Sequence, residues 1–240
     1  TDQHMMPFGR GSVDFTEVLR EADAAAPYLR GEDLEISIPA DMSLTPVAIA
    51  SFYDQPATGK IEIIKSDAVD GSTLAGAVFE IRAAVDIVRA DGSMVALAGE
   101  TVATVETDEQ GKASIDNLSL GSGTAQYEVV EVSAPEGYLL DQTPHAVELT
   151  YENQDTPVIF AQVEASNDYT KIDISKTDAT DQTEIEGAQL TLLDVNGETI
   201  ETWTSTAAPH RIEHLAPGSY TLRETMSPRT YDAAEEVTFE

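Results

Sequence analysis

Short stretches of alternating apolar and polar residues recur along the chain, each about the length of one β-strand. In KIDISKT (171–177) every second position is occupied by Ile, Ile and then Lys176, with polar residues between them. KIEIIKS (60–66) begins in the same way and places Lys65 in phase with two isoleucines. A period of two predicts strands with one buried face. Both lysines are therefore expected on the apolar side of their strands.

A second pair of segments has the same alternation and carries an acidic residue. YEVVEVSAPEGY (127–138) and YTLRETMSPRTY (220–231) each place a Tyr, an aliphatic residue and a Glu at alternate positions. Glu131 and Glu224 therefore share a face with apolar neighbours. The segment APEGY that follows Glu131 is typical of a turn closed by an aromatic residue.

The lysine segments belong to a longer repeat. IEIIKSDAVDGSTLAGA (61–77) is followed by IDISKTDATDQTEIEGA (172–188), at an offset of 111 residues from the lysine to the Gly-Ala pair. This period is the length of a domain, longer than the units of common solenoids. The lysine-to-glutamate distance is 66 residues in the first copy and 48 in the second. The 18 additional residues of the first copy are expected within 85–124.

Tight turns are predicted between the strands by five dipeptides. These are Asp70-Gly71, Asp91-Gly92, Gln110-Gly111, Asn196-Gly197 and Pro217-Gly218. Many short strands with such turns predict an all-β fold built from tandem antiparallel sandwich modules.

The repeat also predicts the domain boundaries. Residues 58–170 form one complete module with the insertion, and 171–240 form the N-terminal part of the next module without its last strand. Residues 1–57 are the C-terminal part of a preceding module. Within them, FTEVLREADAAAPYL (15–29) fits either a short helix or a divergent copy of the glutamate segment. The chain begins with Thr, so we expect a fragment or processed product.

The composition of the chain disfavours several classes of partner. The formal charge is −31, from 13 basic and 44 acidic residues, which disfavours nucleic acids and anionic lipid surfaces as partners. Without cysteine, disulfides cannot staple the modules. No apolar run approaches the length of a membrane span, so membrane insertion of this segment is not expected.

Three side chains are candidates for a reaction. Taken alone, Lys65 could be a strand-end lysine whose ammonium reaches water. Glu131 taken alone could be half of an ordinary salt bridge. Their recurrence in phase with apolar residues favours a functional pair, because buried charges are costly unless they react or pair closely. The strand VIFAQVEASND brings Asn167 to the same kind of face at its end.

An amine, a carboxyl and an amide in an apolar pocket can form an amide bond without an enzyme. Burial disfavours charged forms, so a neutral amine and a protonated carboxyl can coexist there. The amine attacks the side-chain amide carbon of Asn167 while Glu131 polarises the oxygen and carries protons, and ammonia leaves. An Asp acceptor would release water.

The motifs IEIIKSD, LAGAVFEI, YEVVEVSAPEGY and VEASNDYTK resemble the Cna B-type (SpaA-like, prealbumin-like) domains of Gram-positive pilins and adhesins. YTLRETMSPRTY is similar to the glutamate-bearing E-box of pilins in that family. The resemblance covers 58–240 and implies immunoglobulin-like sandwiches with an intramolecular isopeptide bond between first and last strands. It assigns Lys65 as the amine, Glu131 as the catalytic carboxyl and Asn167 as the acceptor.

The flanking segments match this pattern in part. Lys176 and Glu224 are the amine and the catalytic carboxyl of the next module, whose acceptor is expected after residue 240. Asp54 occupies the acceptor place of the preceding module, whose lysine is expected before residue 1. Glu21 could be its carboxyl, but Pro27 follows it by six residues, whereas a proline follows Glu131 and Glu224 by four.

The resemblance implies a structural stalk segment of a bacterial cell-surface adhesin or pilin, located outside the cell at the bacterial cell wall or surface. It is not an enzyme beyond a single self-catalysed reaction, and no cofactor or metal is expected. Its partners are the neighbouring modules and a host extracellular-matrix or cell-surface ligand. The alternatives are a carbohydrate- or host-protein-binding module using the insertion and, third, a hydrolase using Glu131.

Weaker candidates favour ordinary structural roles. His210 and His214 are spaced as metal ligands on a helix but lie in a predicted hairpin, so surface histidines are expected. Asp178, Asp181 and Glu184 lack the ligand spacing and glycine of a calcium-binding EF-hand loop. Trp203 is expected to be a packed strand residue.

Overall fold

A computed structural model describes residues 15–38, 51 and 53–240, and these residues form strands and turns with no helix. In this part of the chain there is thus no helix long and apolar enough to cross a membrane. The first two strands, β1 (Phe15–Leu19) and β2 (Leu34–Ile38), are antiparallel. Segment 15–29, where the sequence allows a helix or a strand, begins with a strand and continues into a turn.

Nine strands make up the central sandwich, and their bounds follow in chain order. They are β3 (Thr58–Asp67), β4 (Val78–Ala83), β5 (Ile87–Val88), β6 (Met94–Ala96), β7 (Thr101–Glu106), β8 (Lys112–Ser119), β9 (Thr124–Ser133), β10 (His145–Thr150) and β11 (Val158–Asn167). One sheet has the order β10-β9-β4-β7 and the other β11-β3-β8. The hairpin β5–β6 lies between β4 and β7 in the chain, within the segment where the insertion is predicted.

Six further strands form a smaller sandwich with the same order. They are β12 (Lys171–Ile174), β13 (Gln189–Leu193), β14 (Thr199–Thr204), β15 (His210–Glu213), β16 (Tyr220–Met226) and β17 (Val237–Phe239). Sheet β14-β13-β16-β17 corresponds to β7-β4-β9-β10, and pair β12-β15 corresponds to β3-β8. No counterpart of β11 lies among the described residues. The predicted fold class, all-β with tandem sandwiches, is confirmed.

The alternation in the sequence becomes the two faces of each strand. In β3, Ile61 and Ile63 are completely buried, and Lys65 is buried with them. Phe79 and Val129 contribute from the facing sheet to the same core. Burying one such aliphatic or aromatic side chain contributes about 1.5–3 kcal/mol. A one-residue shift of β3 that moved Lys65 out of the core would therefore also expose Ile61 and Ile63.

One strand pair departs from the antiparallel pattern. The first and last strands of the central sandwich, β3 and β11, are parallel neighbours with ten residues paired in register. Lys65 lies opposite Ala165, and Asn167 lies opposite Asp67. Parallel neighbours require a crossover connection, which here is the rest of the sandwich. The pairing brings the ends of the first and last strands together at one edge of the core.

A glycine is required where a turn approaches the lysine strand. Gly111 has a φ of +69°, and a Cβ atom placed on it would lie 2.5 Å from the backbone oxygen of Lys65. Its own oxygen accepts a hydrogen bond of 2.7 Å from the Lys65 backbone N–H. Any other residue would meet backbone rather than a movable side chain. The turn predicted at Gln110-Gly111 thus also fixes the backbone around Lys65.

The two sandwiches meet at a closely packed junction. A Cβ on Gly137 would lie 2.6 Å from the backbone oxygen of His214. The Thr170 hydroxyl donates to the backbone oxygen of Leu215 at 2.7 Å. The exposed ring of His214 stacks on Tyr169 with 4.3 Å between ring centroids. The short linker predicted between the modules is therefore held by contacts from both sides.

Candidate functional site

Lys65, Glu131 and Asn167 meet inside the central sandwich. Lys65 Nζ lies 3.1 Å from Glu131 Oε1. Asn167 Nδ2 donates a hydrogen bond of 2.8 Å to Glu131 Oε2. All three residues are at most 2% exposed. The carboxylate therefore lies between the amine and the side-chain amide.

The fold explains why these three side chains meet. Lys65 and Asn167 come from the adjacent parallel strands β3 and β11, where Asn167 lies two residues beyond the residue opposite Lys65. Residues two apart on a strand point to the same face. Glu131 comes from β9 in the facing sheet, so it approaches from across the core. The site thus requires the two sheets to be packed and β3 and β11 to be in register.

The surroundings of Lys65 oppose its charge. Burial lowers the pKa of the Lys65 ammonium, while the nearby carboxylate of Glu131 acts in the opposite direction. The Phe79 ring lies 5.5 Å from Nζ and is the apolar wall of the site. A lowered lysine pKa makes the neutral, nucleophilic amine more accessible.

Unsatisfied polar atoms are concentrated at this site and its counterpart. Among the described residues, the buried side-chain polar atoms without a hydrogen bond are Glu131 Oε1, Asn167 Oδ1 and Glu224 Oε1. Glu131 Oε1 has the Lys65 ammonium nearby but no aligned hydrogen bond. A buried polar atom without a partner costs about 1–3 kcal/mol. A catalytic role is one of the recognised explanations for such atoms in native proteins.

A small cavity of about 110 Å³ adjoins the site. Its lining includes Lys65 and Glu131, together with Asp141 and His145. Asp141 is exposed and His145 is half-buried, so the cavity connects the buried pair with the protein surface. A small neutral product can leave by this route.

The second copy contains two of the three groups. Lys176 Nζ lies 3.4 Å from Glu224 Oε2, and the lysine side chain is 15% exposed compared with 1% for Lys65. Strand β12 ends at Ile174, so Lys176 lies two residues beyond it and not on the strand predicted over 171–177. Among the described strands, β12 pairs with β15 and has no neighbour in the position of β11. The structure therefore brings Lys176 and Glu224 together without an acceptor.

Glu21 follows the same local geometry as the other two glutamates. The backbone N–H of Gly31 donates to Glu21 Oε2 at 2.6 Å. The equivalent bonds join Asp141 N–H to Glu131 Oε2 at 3.0 Å and Ala234 N–H to Glu224 Oε2 at 2.6 Å. In each case the donor lies ten residues after the glutamate.

A sequence signal for Glu21 exists in the tyrosine that follows each glutamate by seven residues. Tyr28, Tyr138 and Tyr231 all occupy this position. Each tyrosine N–H closes the same turn by donating to the oxygen three residues earlier, at distances from 2.8 to 3.2 Å. The proline spacing is therefore misleading for Glu21, and the tyrosine spacing is the reliable guide.

Asp54 lies at the backbone position equivalent to Asn167. The N–H of Leu29 donates to the oxygen of Gln55 at 2.8 Å, as the N–H of Leu139 donates to the oxygen of Asp168 at 2.9 Å. Gln55 and Asp168 each directly follow the acceptor position. The Asp54 side chain is exposed.

The remaining candidates have structural contacts. The His210 ring stacks on Trp203 at 4.4 Å, and its Nε2 lies 2.8 Å from Glu201 Oε1. Asp178 and Asp181 accept backbone N–H groups within their own turn. In the part of the chain that the structure describes, no group of three or more His, Cys, Asp or Glu side chains is arranged to hold a metal ion.

Comparison with known proteins places the two sandwiches in one family. The profile described as "SpaA: Prealbumin-like fold domain" matches residues 59–164 and 170–240, which is more than half of the chain. The first stretch covers the central sandwich except for Thr58 and the last three residues of β11, and the second covers the sandwich that begins at Lys171.

The individual proteins that match this chain have low sequence identity to it. The serine-aspartate repeat-containing protein F of Staphylococcus epidermidis is 29% identical over 162 residues, covering 58% of this chain and 10% of that protein. The Bacillus anthracis TIE protein is 21% identical with a TM-score of 0.44, covering 98% of this chain and 42% of its own. A streptococcal ancillary pilin is 21% identical with a TM-score of 0.37, covering 93% and 70% respectively. The chain thus spans a tenth of the staphylococcal protein.

Proposed function

Because the chain belongs to the SpaA prealbumin-like fold domain family, we propose that it is a structural stalk segment of a Gram-positive cell-surface protein. In this proposal, residues 58–170 are one complete module, 1–57 end a preceding module and 171–240 begin the next. The location follows from the resemblance to pilin and adhesin domains. The partners are neighbouring modules and a host ligand.

The central element of the proposal is a self-catalysed isopeptide bond between Lys65 and Asn167. The observation that carries it is the buried contact of Glu131 with both residues, at 3.1 Å to Lys65 Nζ and 2.8 Å to Asn167 Nδ2. The two strands hold an amine and an amide against one carboxyl, so the reacting groups are already brought together. Such orientation replaces the entropy that a bimolecular reaction would lose.

The first step is a proton transfer within the ion pair. Lys65 gives one proton to Glu131, so an ammonium and a carboxylate become a neutral amine and a carboxylic acid. No net charge enters or leaves the core, and the burial that lowers the lysine pKa favours this exchange. A half-turn of the Asn167 amide then brings its unpartnered Oδ1 to the carboxyl O–H.

The second step forms the new bond. Lys65 Nζ attacks the Cγ atom of Asn167, and the carboxyl hydrogen bond stabilises the charge that develops on Oδ1. Glu131 then moves one proton from the lysine nitrogen to the leaving nitrogen. The Cγ–Nδ2 bond breaks, ammonia leaves and Glu131 ends protonated. The protein reacts once, so it is not an enzyme in the usual sense.

The bond would give the stalk its mechanical character. It joins the first and last strands of the module, so force applied at its two ends passes through the crosslink rather than through the core. It closes a loop of 102 residues and is not reducible. This property suits a chain in which no cysteine is available for disulfides.

Peptide mapping of the 240-residue chain tests the assignment of the two linked residues. Trypsin is expected to leave one branched peptide that joins residues 61–82 to residues 113–171, because acylated Lys65 is no longer a cleavage site. Lys176 is the internal control and is expected to be cleaved normally. Quantitative cleavage after Lys65 in correctly folded protein would contradict the assignment.

A further inference from the structure

A tyrosine–aspartate pair fastens the glutamate segment to the end of the lysine strand. The Tyr138 hydroxyl donates to Asp67 Oδ2 at 3.0 Å. Asp67 lies two residues after Lys65 and is 5% exposed, and Tyr138 lies seven residues after Glu131. The pair therefore connects the segments that carry the amine and the carboxyl, close to both of them.

The same pair is built again in the second sandwich. The Tyr231 hydroxyl donates to Asp178 Oδ2 at 2.9 Å. Asp178 follows Lys176 by two residues, and Tyr231 follows Glu224 by seven. The residues between glutamate and tyrosine differ almost completely, with VSAPEG in one copy and TMSPRT in the other. The recurring geometry is thus tied to the lysine and glutamate positions rather than to one turn sequence.

The segment held by Tyr138 also holds Glu131. Beyond the tyrosine, the Asp141 N–H donates to Glu131 Oε2 at 3.0 Å, the oxygen that Asn167 also contacts. Beside the tyrosine, the Leu139 N–H donates to the oxygen of Asp168, directly after Asn167. Backbone contacts therefore bind this segment to the acceptor strand, and the Tyr138 side chain binds it to the lysine strand.

We propose that Tyr138, through Asp67, is a positioning residue for isopeptide formation, holding the Asp141 N–H on Glu131 so that the carboxyl keeps facing Lys65 and Asn167. This inference rests on the proposed bond-forming reaction. Tyr138 touches no reacting atom in the structure. Its effect is on the time that the three reacting groups spend in the reactive arrangement.

The charge state of the pair supports a permanent contact. Backbone hydrogen bonds, chiefly from Val69, lower the pKa of Asp67, so it is an acceptor at neutral pH. Burial and the neighbouring Asp67 raise the pKa of Tyr138 to about 12, so its hydroxyl keeps its proton. A donor and an ionised acceptor form the stronger class of hydrogen bond.

The rate of ammonia loss is the readout that a purely structural role would not change. The 240-residue chain is made by cell-free synthesis, quenched with acid at intervals and analysed by intact mass. Tyr138→Phe is expected to form the bond about tenfold more slowly or worse, as for the loss of one hydrogen bond to a charged group. Asp67→Ala is expected to match it, and the double variant to be no slower than either single one.

Two controls separate positioning from general loss of packing. Tyr127→Phe also removes a tyrosine hydroxyl, one that donates a hydrogen bond of 2.7 Å to the backbone oxygen of Ser119. This bond is remote from the site, so its loss should not change the rate of ammonia loss. Asp67→Asn can donate from its amide to the Tyr138 oxygen and is expected to restore most of the rate.

A second readout does not require the bond to form. In the Lys65→Ala background, Tyr138→Phe should accelerate hydrogen exchange at the Asp141 amide, whereas Tyr127→Phe should not. If the Tyr138→Phe chain reacts as fast as the chain without substitutions, Tyr138 has no positioning role. If the folded chain without substitutions loses no ammonia, the proposed function itself is wrong, so the two failures are distinguishable.

Discussion

A chain carrying Glu131→Ala is expected to fold with its central module unlinked and destabilised by about 3–5 kcal/mol, before the missing crosslink is counted. The reason is the position of Lys65, which is 1% exposed and has Glu131 as its ion-pair partner. Without the carboxylate, the lysine must either keep an uncompensated charge in the core or lose its proton. The variant also lacks the group that carries protons between the two nitrogens, so no ammonia is lost.

Glu224→Ala is the matched control for this variant. It removes the corresponding carboxylate of the second sandwich, 3.4 Å from Lys176 Nζ, and leaves the Lys65 site intact. Intact mass should show ammonia loss in Glu224→Ala and none in Glu131→Ala. Hydrogen exchange should be accelerated in β3 and β9 only for Glu131→Ala. Ammonia loss in the Glu131→Ala chain would contradict the role given to this residue.

The crosslink itself is expected to contribute roughly 4–5 kcal/mol to the free energy of unfolding of the central module, by the loop-entropy relation used for disulfides. Asn167→Ala measures this contribution most directly, because it removes the acceptor and leaves the Lys65–Glu131 pair in place. The loop closed by the bond has 102 residues. Amide exchange from β3 and β11 in increasing urea reports the difference.

Asn167→Asp is the control for this measurement. An aspartic acid at this position still offers a carboxyl carbon to Lys65, so the bond should form with loss of water, and the stability should be restored. If the Asn167→Ala module is as stable as the module with Asn167, no crosslink contributes to the stability of the module.

The buried faces of the strands are predictable from alternation alone. Lys65 and Glu131 are recognisable because each is in phase with apolar residues, and Ile61, Ile63 and Val129 are indeed completely buried. Asn167 is recognisable by the same parity on β11. Period-two patterns define which face a side chain occupies, and this is the property that the site depends on.

The contacts between strands are much less predictable. Parity does not show that β3 and β11 are parallel neighbours, because pairing depends on how the whole module folds back on itself. Nor does it show the bond between Tyr138 and Asp67, whose partners are 71 residues apart. Glu21 illustrates a local failure, since Pro27 is displaced while the turn closed by Tyr28 is retained. The turn after Glu21 therefore has the same backbone hydrogen bond as the turns after Glu131 and Glu224, although its proline is at a different position.

The intact mass of the folded 240-residue chain under denaturing conditions tests the central claim most directly. The Lys65–Asn167 bond is the one that this chain can complete, since Lys176 has no acceptor beside it among the described residues. The expected mass is that of the sequence less one ammonia, and Lys65→Ala should restore the full mass of its own sequence. A folded chain without substitutions that has the full mass of its sequence would contradict the proposed Lys65–Asn167 bond.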